Sequence, residues 1–203
     1  MARAIDHLDH PHTLDRSLPL AQDLSRTHSS TSFGMKLLRA LWACFQLPFL
    51  PHTPKFLSPL RIFLLRSFGA KIEVGCSIGA GVKVWLPWNL TIGRATAIGF
   101  NTELYNFSRI EIGDNTVISQ RSYLCTASHD YTHPHHPLIK APIYIESQAW
   151  IAAGVFIGPG VTVGTGSVVG ACSVVTRSLP EWTVCAGNPC RVIKPRVLRE
   201  PNA

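Results

Sequence analysis

The fold is decided by residues 72–131, which align as three rows: IEVGCSIGAGVKVWLPWNLT from residue 72, IGRATAIGFNTELYNFSRIE from residue 92 and IGDNTVISQRSYLCTASHDY from residue 112. Aliphatic residues recur every six positions in these rows, at Ile72, Ile78, Val84, Ile92, Ile98, Leu104, Ile112, Ile118 and Leu124. After one interruption the step resumes at Ile145, Ile151, Ile157, Val163, Val169 and Val175. A fixed six-residue period is typical of a β-helix, in which each hexad forms one short strand and one corner.

The residues between the aliphatic positions suit the corners of such a solenoid. Glycine often follows the aliphatic residue, as at Gly79 and Gly99, and it tolerates a close approach between coils. Small or β-branched side chains lie four residues after the aliphatic position. The sequence therefore predicts an all-β solenoid, a parallel β-helix of about five coils, with an N-terminal helical segment and one extended loop.

Composition and charge limit the classes of partner. The chain has 203 residues, 46% of them hydrophobic and 15% charged, and a net charge of +7. A basic protein of this kind can bind nucleic acid, an anionic membrane or a phosphate-bearing ligand, and of these we predict no nucleic-acid partner. The six cysteines form no C-x-x-C pair and no secretory signal is evident, so we expect reduced thiols in a cytoplasmic protein.

Four segments follow from the composition. Residues 1–32 lack periodicity and are expected to form a disordered tail. Residues 33–71 are expected to form an amphipathic helical cap, and residues 72–180 the β-helix, interrupted by a loop over 130–144. Residues 181–203 are expected to form a basic C-terminal tail.

The helical segment allows two interpretations. Both of its apolar stretches can form amphipathic helices with basic residues on the outer face, and a solenoid needs a cap over its open end. The alternative is peripheral contact with the inner membrane surface through basic side chains beside Trp42 and phenylalanines. The basic residues concerned are Lys36, Arg39, Arg61 and Arg66.

The interrupting loop is rich in histidine. His129 ends the last regular hexad before the loop, and His133, His135 and His136 follow. Because histidine titrates near neutral pH, a residue fixed like His129 is a candidate general base for a hydroxyl. A metal site is a weaker alternative, because the spacing matches no common zinc pattern. The three later histidines are expected to be solvated loop residues.

Several blocks of the sequence resemble the hexapeptide-repeat acyltransferases of the galactoside and maltose acetyltransferase type. The chain is most similar to the colanic acid biosynthesis acetyltransferase group, which modifies exopolysaccharides. The blocks cover roughly residues 55–195 and are FLLRSFGAKI, PWNLTIG, VISQRSYLCTASHDY, PIYIESQAWIAA, IGPGVTVG and AGNPCRVIK. The resemblance implies a left-handed β-helix, a homotrimer, and acetyl-CoA bound along the groove between two neighbouring solenoids.

The resemblance also implies roles for individual residues. His129 matches the family's catalytic base, which deprotonates the hydroxyl of a saccharide acceptor. Asn106 and Glu103 lie near the expected acceptor site. Positions that match acetyl-CoA contacts are Trp150, Ala153, Ala171, Thr176, Arg177, Arg191 and Lys194. Structural alternatives stay open for these positions: Trp150 can pack the coil, the basic residues can be a solvated face, and Asn106 can satisfy a corner backbone.

Two rival functions remain at this stage. A γ-carbonic-anhydrase-like metalloenzyme has the same β-helix, but it needs histidine ligands spread over separate coils. In this sequence no histidine lies in the solenoid outside 129–136. A non-catalytic binding module is the other alternative. The prediction is an acetyl-CoA-dependent O-acetyltransferase without a metal, acting on an exopolysaccharide or another cell-surface glycan precursor.

Overall fold

The computed structural model describes residues 32–49 and 54–200. Helix α1 spans Phe33–Phe49 and helix α2 spans Ser58–Ser67, with short 3₁₀ turns at Lys55–Leu57 and Pro87–Asn89. The tail expected over residues 1–32 lies, apart from Ser32, outside the described residues. No helix in the described part of the chain is long and apolar enough to cross a membrane.

Three parallel sheets, named here faces A, B and C, form the walls of the solenoid. Face A contains β1 (Lys71–Ile72), β4 (Leu90–Ile92), β7 (Ile110–Ile112), β12 (Ile143–Ile145) and β15 (Thr162–Val163). Face B contains β2 (Ser77–Ile78), β5 (Ala97–Ile98), β8 (Val117–Ile118), β13 (Trp150–Ile151), β16 (Val168–Val169), β18 (Thr183–Ala186) and the antiparallel β19 (Arg191–Pro195). Face C contains β3 (Lys83–Val84), β6 (Glu103–Tyr105), β9 (Tyr123–Cys125), β14 (Phe156–Ile157) and β17 (Val174–Val175). A separate hairpin pairs β10 (Ala127–His129) with β11 (Leu138–Lys140).

This arrangement confirms the predicted β-solenoid and is consistent with left-handed winding, but it has about six turns instead of five. The parallel ladder continues past residue 180, where β18 pairs with β16. Leu179 bridges to Val163 only four residues after Val175, so the step there is two residues short. The six-residue period then resumes from Leu179 to the buried Cys185. Because this corner is shorter, a constant six-residue period does not predict the last turn.

The core consists of three columns of stacked aliphatic side chains. On face A, Ile72, Ile92, Ile112, Ile145 and Val163 lie directly above one another in register. Each of the five is at most 6% exposed. Burial of one such side chain stabilises the fold by about 1.5–3 kcal/mol, so the columns dominate the stability of the solenoid.

Stacked coils also approach closely at the corners. A Cβ added to Gly79 would lie 2.6 Å from the backbone nitrogen of Phe100 in the next coil. No real Cβ tolerates that distance, which explains glycine at this corner. Buried hydroxyls cross the same gaps: Thr116 Oγ1, for example, donates to the carbonyl of Glu146 at 3.0 Å.

The N-terminal helices cover the open end of the first coil. Arg61 Nε donates to Ile78 O at 2.8 Å, Trp42 Nε1 donates to Val84 O at 2.7 Å, and Arg66 Nε donates to Ile72 O at 2.9 Å. The prediction that the basic residues lie on the outer face is therefore wrong for Arg61, which is 1% exposed. Its guanidinium turns inward because the first coil has no preceding coil to supply hydrogen-bond donors.

Candidate active site

The edge between faces C and A is wider in the first three coils than in the others. After these corners the strands of face A begin one residue earlier than β1 and β15, and their first residues Leu90, Ile110 and Ile143 form an additional buried column. The extra residues lengthen the corner that precedes them. The third of these corners is long enough to carry the β10–β11 hairpin, so the C/A edge is where the regular solenoid is interrupted.

The loop predicted over residues 130–144 is partly a strand. In the hairpin, His129 lies opposite Leu138, and Ala127 lies opposite Lys140. Asp130 N also donates to Pro137 O at 3.0 Å, which closes the turn next to His129. The pairing fixes the backbone of His129 although its side chain is exposed.

The imidazole of His129 has a defined orientation. Its Nδ1 lies 2.7 Å from the carbonyl oxygen of His136. A carbonyl oxygen only accepts hydrogen bonds, so Nδ1 must carry the hydrogen and donate it. In the neutral ring the lone pair then lies on Nε2, which is the tautomer that a general base requires.

The turn of the hairpin is ordered by its own polar groups. Asp130 Oδ1 accepts from Thr132 N at 2.9 Å and from Thr132 Oγ1 at 2.6 Å, and these bonds hold the pKa of Asp130 below its ordinary value. His133 Nδ1 accepts from the backbone nitrogen of His135 at 3.1 Å. Within residues 32–49 and 54–200, no group of three or more His, Cys, Asp or Glu side chains is arranged to hold a metal ion.

The two predicted acceptor residues have different environments. Asn106 is fully buried: its Oδ1 accepts from Leu86 N at 2.9 Å and its Nδ2 donates to Leu86 O at 2.6 Å. Glu103 lies on the outer surface of face C, where its Oε1 accepts from Trp85 Nε1 at 2.9 Å. The structure thus places Asn106 in the wall and leaves Glu103 accessible in a pocket of about 510 Å³ between α1 and face C.

An aromatic ladder on the outer surface of face C was not predicted. Ring centroids are separated by 4.9 Å between Trp85 and Tyr105, by 6.2 Å between Tyr105 and Tyr123, and by 5.7 Å between Tyr123 and Phe156. Burial is the main cause of a raised pKa at Tyr105 and Tyr123. Strand register pairs Tyr123 with Phe156, but it aligns Tyr105 with Cys125, so the diagonal contact between Tyr105 and Tyr123 needed the structure.

A shallow groove at the C/A edge was also missed. It has a volume of about 370 Å³ and extends along the widened corners of the first three coils. The two extra residues in each of the first two sequence rows were the available signal, because they lengthen these corners. The groove is lined by Asn89, Phe107, Ser108, Arg109, Pro142 and Tyr144.

Three of the predicted acetyl-CoA positions are grouped on or beside the edge between faces B and C. Ala153 follows β13 and Ala171 follows β16, so they occupy the same corner in successive coils. Trp150 points outward from face B with 47% of its surface exposed, and its Nε1 donates to Ser119 Oγ at 3.0 Å. This bond fixes one edge of the indole and leaves about half of the side chain accessible to a ligand.

The remaining predicted positions lie elsewhere. Thr176 and Arg177 follow β17 at the C/A edge of the fifth coil, and both are exposed. Arg191 and Lys194 lie on β19, which extends face B in the antiparallel sense. Within one chain, the structure therefore places His129 at the C/A edge of the solenoid. It places Trp150, Ala153 and Ala171 on or beside the B/C edge.

Comparisons with known proteins agree with this architecture. Residues 142–177 match the family model described as bacterial transferase hexapeptide (six repeats), which defines the class of repeat. The chain is 44% identical over 181 residues to WcaF of Escherichia coli K12, named as an inferred colanic acid biosynthesis acetyltransferase, and the match covers 88% of this chain and 100% of the relative. The chain therefore belongs to the hexapeptide-repeat acetyltransferase family and is an acetyltransferase.

Solved structures give the same result. A hexapeptide-repeat acetyltransferase of Vibrio cholerae, crystallised with acetyl coenzyme A, is 27% identical with a TM-score of 0.76, and the match covers 82% of this chain and 91% of that one. A galactoside acetyltransferase in complex with coenzyme A is 28% identical with a TM-score of 0.68, with coverage of 82% and 84%. The predicted family and enzyme class are thus confirmed.

Proposed function

We propose that this protein transfers an acetyl group from acetyl-CoA to a hydroxyl of a saccharide, in the synthesis of an exopolysaccharide or another cell-surface glycan. The observation that carries the proposal is the hydrogen bond from His129 Nδ1 to the carbonyl of His136. It leaves Nε2 as the basic atom on an exposed, rigidly held side chain. The names of the relatives support the substrates, since one is named for colanic acid and others are complexes with acetyl-CoA or CoA.

The proposed reaction is a direct acyl transfer. His129 Nε2 removes the proton from the acceptor hydroxyl as its oxygen attacks the thioester carbonyl carbon. A carbon–oxygen bond forms, the carbon–sulfur bond to CoA breaks, and the leaving thiolate takes the proton from the imidazolium. A backbone N–H stabilises the oxyanion that develops in between. No covalent enzyme intermediate is required.

The distribution of the predicted residues supports a site formed between copies. His129 lies at the C/A edge, whereas Trp150, Ala153 and Ala171 lie on or beside the B/C edge. These two edges lie on opposite sides of face C, so we infer that a neighbouring copy brings its B/C edge to His129. A head-to-tail contact forms a ring when the rotation between copies closes, and a homotrimer is the ring that we propose.

The remaining assignments concern the residues that bind the CoA phosphates, the residue that contacts the acceptor, and the cellular compartment. Arg177, Arg191 and Lys194 are exposed cations suited to the CoA phosphates, with Thr176 beside them. Glu103 is the accessible candidate for the acceptor, whereas the amide of Asn106 is occupied by Leu86. We place the reaction in the cytoplasm, where acetyl-CoA is made and where the free thiols of the chain would stay reduced.

The test of the proposal is the His129→Ala variant. We expect acetyl transfer from acetyl-CoA to simple sugar acceptors to fall by at least about a hundredfold, because a general base contributes this much or more. His133→Asn is the matched control: it lies on the same hairpin turn, and asparagine Oδ1 can accept the bond from His135 N. The control should keep its activity.

Other outcomes would contradict the proposal. Unchanged turnover in His129→Ala, with the circular dichroism spectrum also unchanged, would exclude His129 as the base. If calorimetry showed no CoA binding to the wild-type protein, the protein would be a non-catalytic binding module instead. Carbon dioxide hydration that depends on added zinc would favour the metalloenzyme alternative.

A further inference from the structure

The outward surface of α1 is apolar. Phe33, Leu37, Leu41 and Phe45 follow one another at intervals of four residues, so they lie along one side of the helix. Their side chains are 82%, 61%, 50% and 37% exposed, respectively, and the ring of Phe45 packs with one side on Phe68, 5.5 Å away between centroids. We call these four residues the α1 stripe.

The opposite side of α1 is directed toward the solenoid and is partly polar. Trp42 is buried there and donates to Val84 O, and Gln46 Oε1 accepts from Val84 N at 2.9 Å. Arg39 also turns inward, with its guanidinium 5.1 Å from the ring centroid of Phe107. A surface helix normally has its apolar side inward and its polar side outward. In α1 the exposed side is the apolar one, so its apolar side chains would gain from being covered.

The charge of the helical segment restricts what can cover the stripe. Residues 33–71 contain six basic residues and no Asp or Glu, so most of the net charge of +7 lies there. Lys36, Arg66 and Lys71 are exposed. An apolar helix face within a purely cationic segment matches an anionic lipid surface, in which acyl chains and phosphates are both present.

We propose that α1 binds parallel to the surface of an anionic bilayer, with the α1 stripe inserted between the lipid headgroups. A second copy of the chain is the competing occupant. It is less suitable because contact between two such segments would bring like charges together. The proposal adds a site of action and a partner to the acetyl transfer proposed above, and it does not depend on that transfer.

The experiment is co-sedimentation of the full-length protein with vesicles. One set contains phosphatidylcholine with phosphatidylglycerol and the other phosphatidylcholine alone. We expect binding to the anionic vesicles that weakens as salt is added, and much weaker binding to the neutral ones. The double variant Leu37→Ser, Leu41→Ser should bind about tenfold more weakly, because interfacial binding scales with the buried apolar area.

The matched control is the double variant Val197→Ser, Leu198→Ser. These side chains are 84% and 60% exposed and lie outside the helical segment, so vesicle binding should not change. Absence of binding by the wild-type protein, or equal binding to both vesicle types without a salt effect, would overturn the proposal. A smaller oligomer mass of the α1 variant in light scattering would also overturn it, because the stripe would then be a contact between copies.

Discussion

At the scale of single residues, the candidate base depends on a backbone group. The carbonyl that orients His129 belongs to His136, which has a φ of +42°. This is a left-handed conformation that is unfavourable for a residue with a side chain. The hairpin turn holds it in place, and the position of the carbonyl follows from that turn.

The sequence predicted His129 as the candidate base, but it did not predict the carbonyl group that orients the imidazole. His129 stands out because it ends a hexad at the point where the period stops. A backbone carbonyl has no residue signature, so the bond to His136 could not be predicted. For Asn106, the sequence allowed either an acceptor contact or a corner contact. The structure shows its amide bonded to Leu86, and this pairing depends on the folding of the widened corner.

A residue-scale prediction concerns Trp150. If its exposed indole contacts the pantetheine arm, Trp150→Ala should raise the KM for acetyl-CoA by about tenfold and change kcat less, since the contact forms with the bound ground state. Ser119→Ala is the control, because it removes only the hydrogen-bond partner of the indole. A lower melting temperature with an unchanged KM would instead mean that Trp150 only packs the coil.

At the scale of secondary-structure elements, the first coil needs the helices because its sheets have an open end. Each face of the first coil has a carbonyl that no preceding coil can reach, at Ile72, Ile78 and Val84. Side chains of α1 and α2 donate to all three. Burial lowers the pKa of Arg61, so its charge is costly in this place, and its hydrogen bonds offset that cost.

The element-scale prediction is that Arg61→Met destabilises the protein by about 2–4 kcal/mol. Methionine fills similar space but leaves the carbonyls of Ile78 and Pro54 without this donor, and an unsatisfied buried acceptor costs about 1–3 kcal/mol. Urea denaturation at a fixed protein concentration measures the effect. Arg66→Met should lower the free energy of unfolding by less, about 1 kcal/mol, because water can replace the hydrogen bond that this exposed side chain donates. Equal losses for the two variants would contradict the capping argument.

The six-residue period was sufficient to predict the strands but not every boundary. It identified the inward columns because a strand of a solenoid repeats the geometry of its neighbour. It missed the last turn at Leu179, where the corner is two residues shorter, and β11, which pairs antiparallel outside the three faces. Both depend on local turns that do not repeat. The direction of Arg61 was also mispredicted, because an exposed helix and a capping helix share the same sequence pattern.

At the scale of the whole molecule, the three-faced solenoid presents the edges between its faces, instead of a deep cleft, as places for an active site. The candidate base and three of the predicted acetyl-CoA positions lie on or beside different edges of one chain. If the active site is shared between neighbours in a ring, each site takes His129 from one copy and the B/C edge from the next. Two different inactive chains can then restore each other's function.

The whole-molecule prediction uses this complementarity. His129→Ala removes the base, and Ala171→Trp should block the B/C edge with a bulky side chain at an exposed corner. Each variant alone should be inactive. When the two chains are co-expressed in equal amounts and assemble randomly, about one quarter of the sites combine an intact His129 with an intact Ala171 edge.

Acetyl transfer by the mixed preparation should therefore recover to about one quarter of the wild-type rate, because sites at different interfaces act independently. Mixing the two variants after purification controls for this result, since subunits that have already assembled exchange slowly and should regain little activity. Suppose that co-expression restored no activity although mass spectrometry showed mixed oligomers. Both edges of one chain would then contribute to the same site. The active site would then lie within one subunit, and the shared-site model would be wrong.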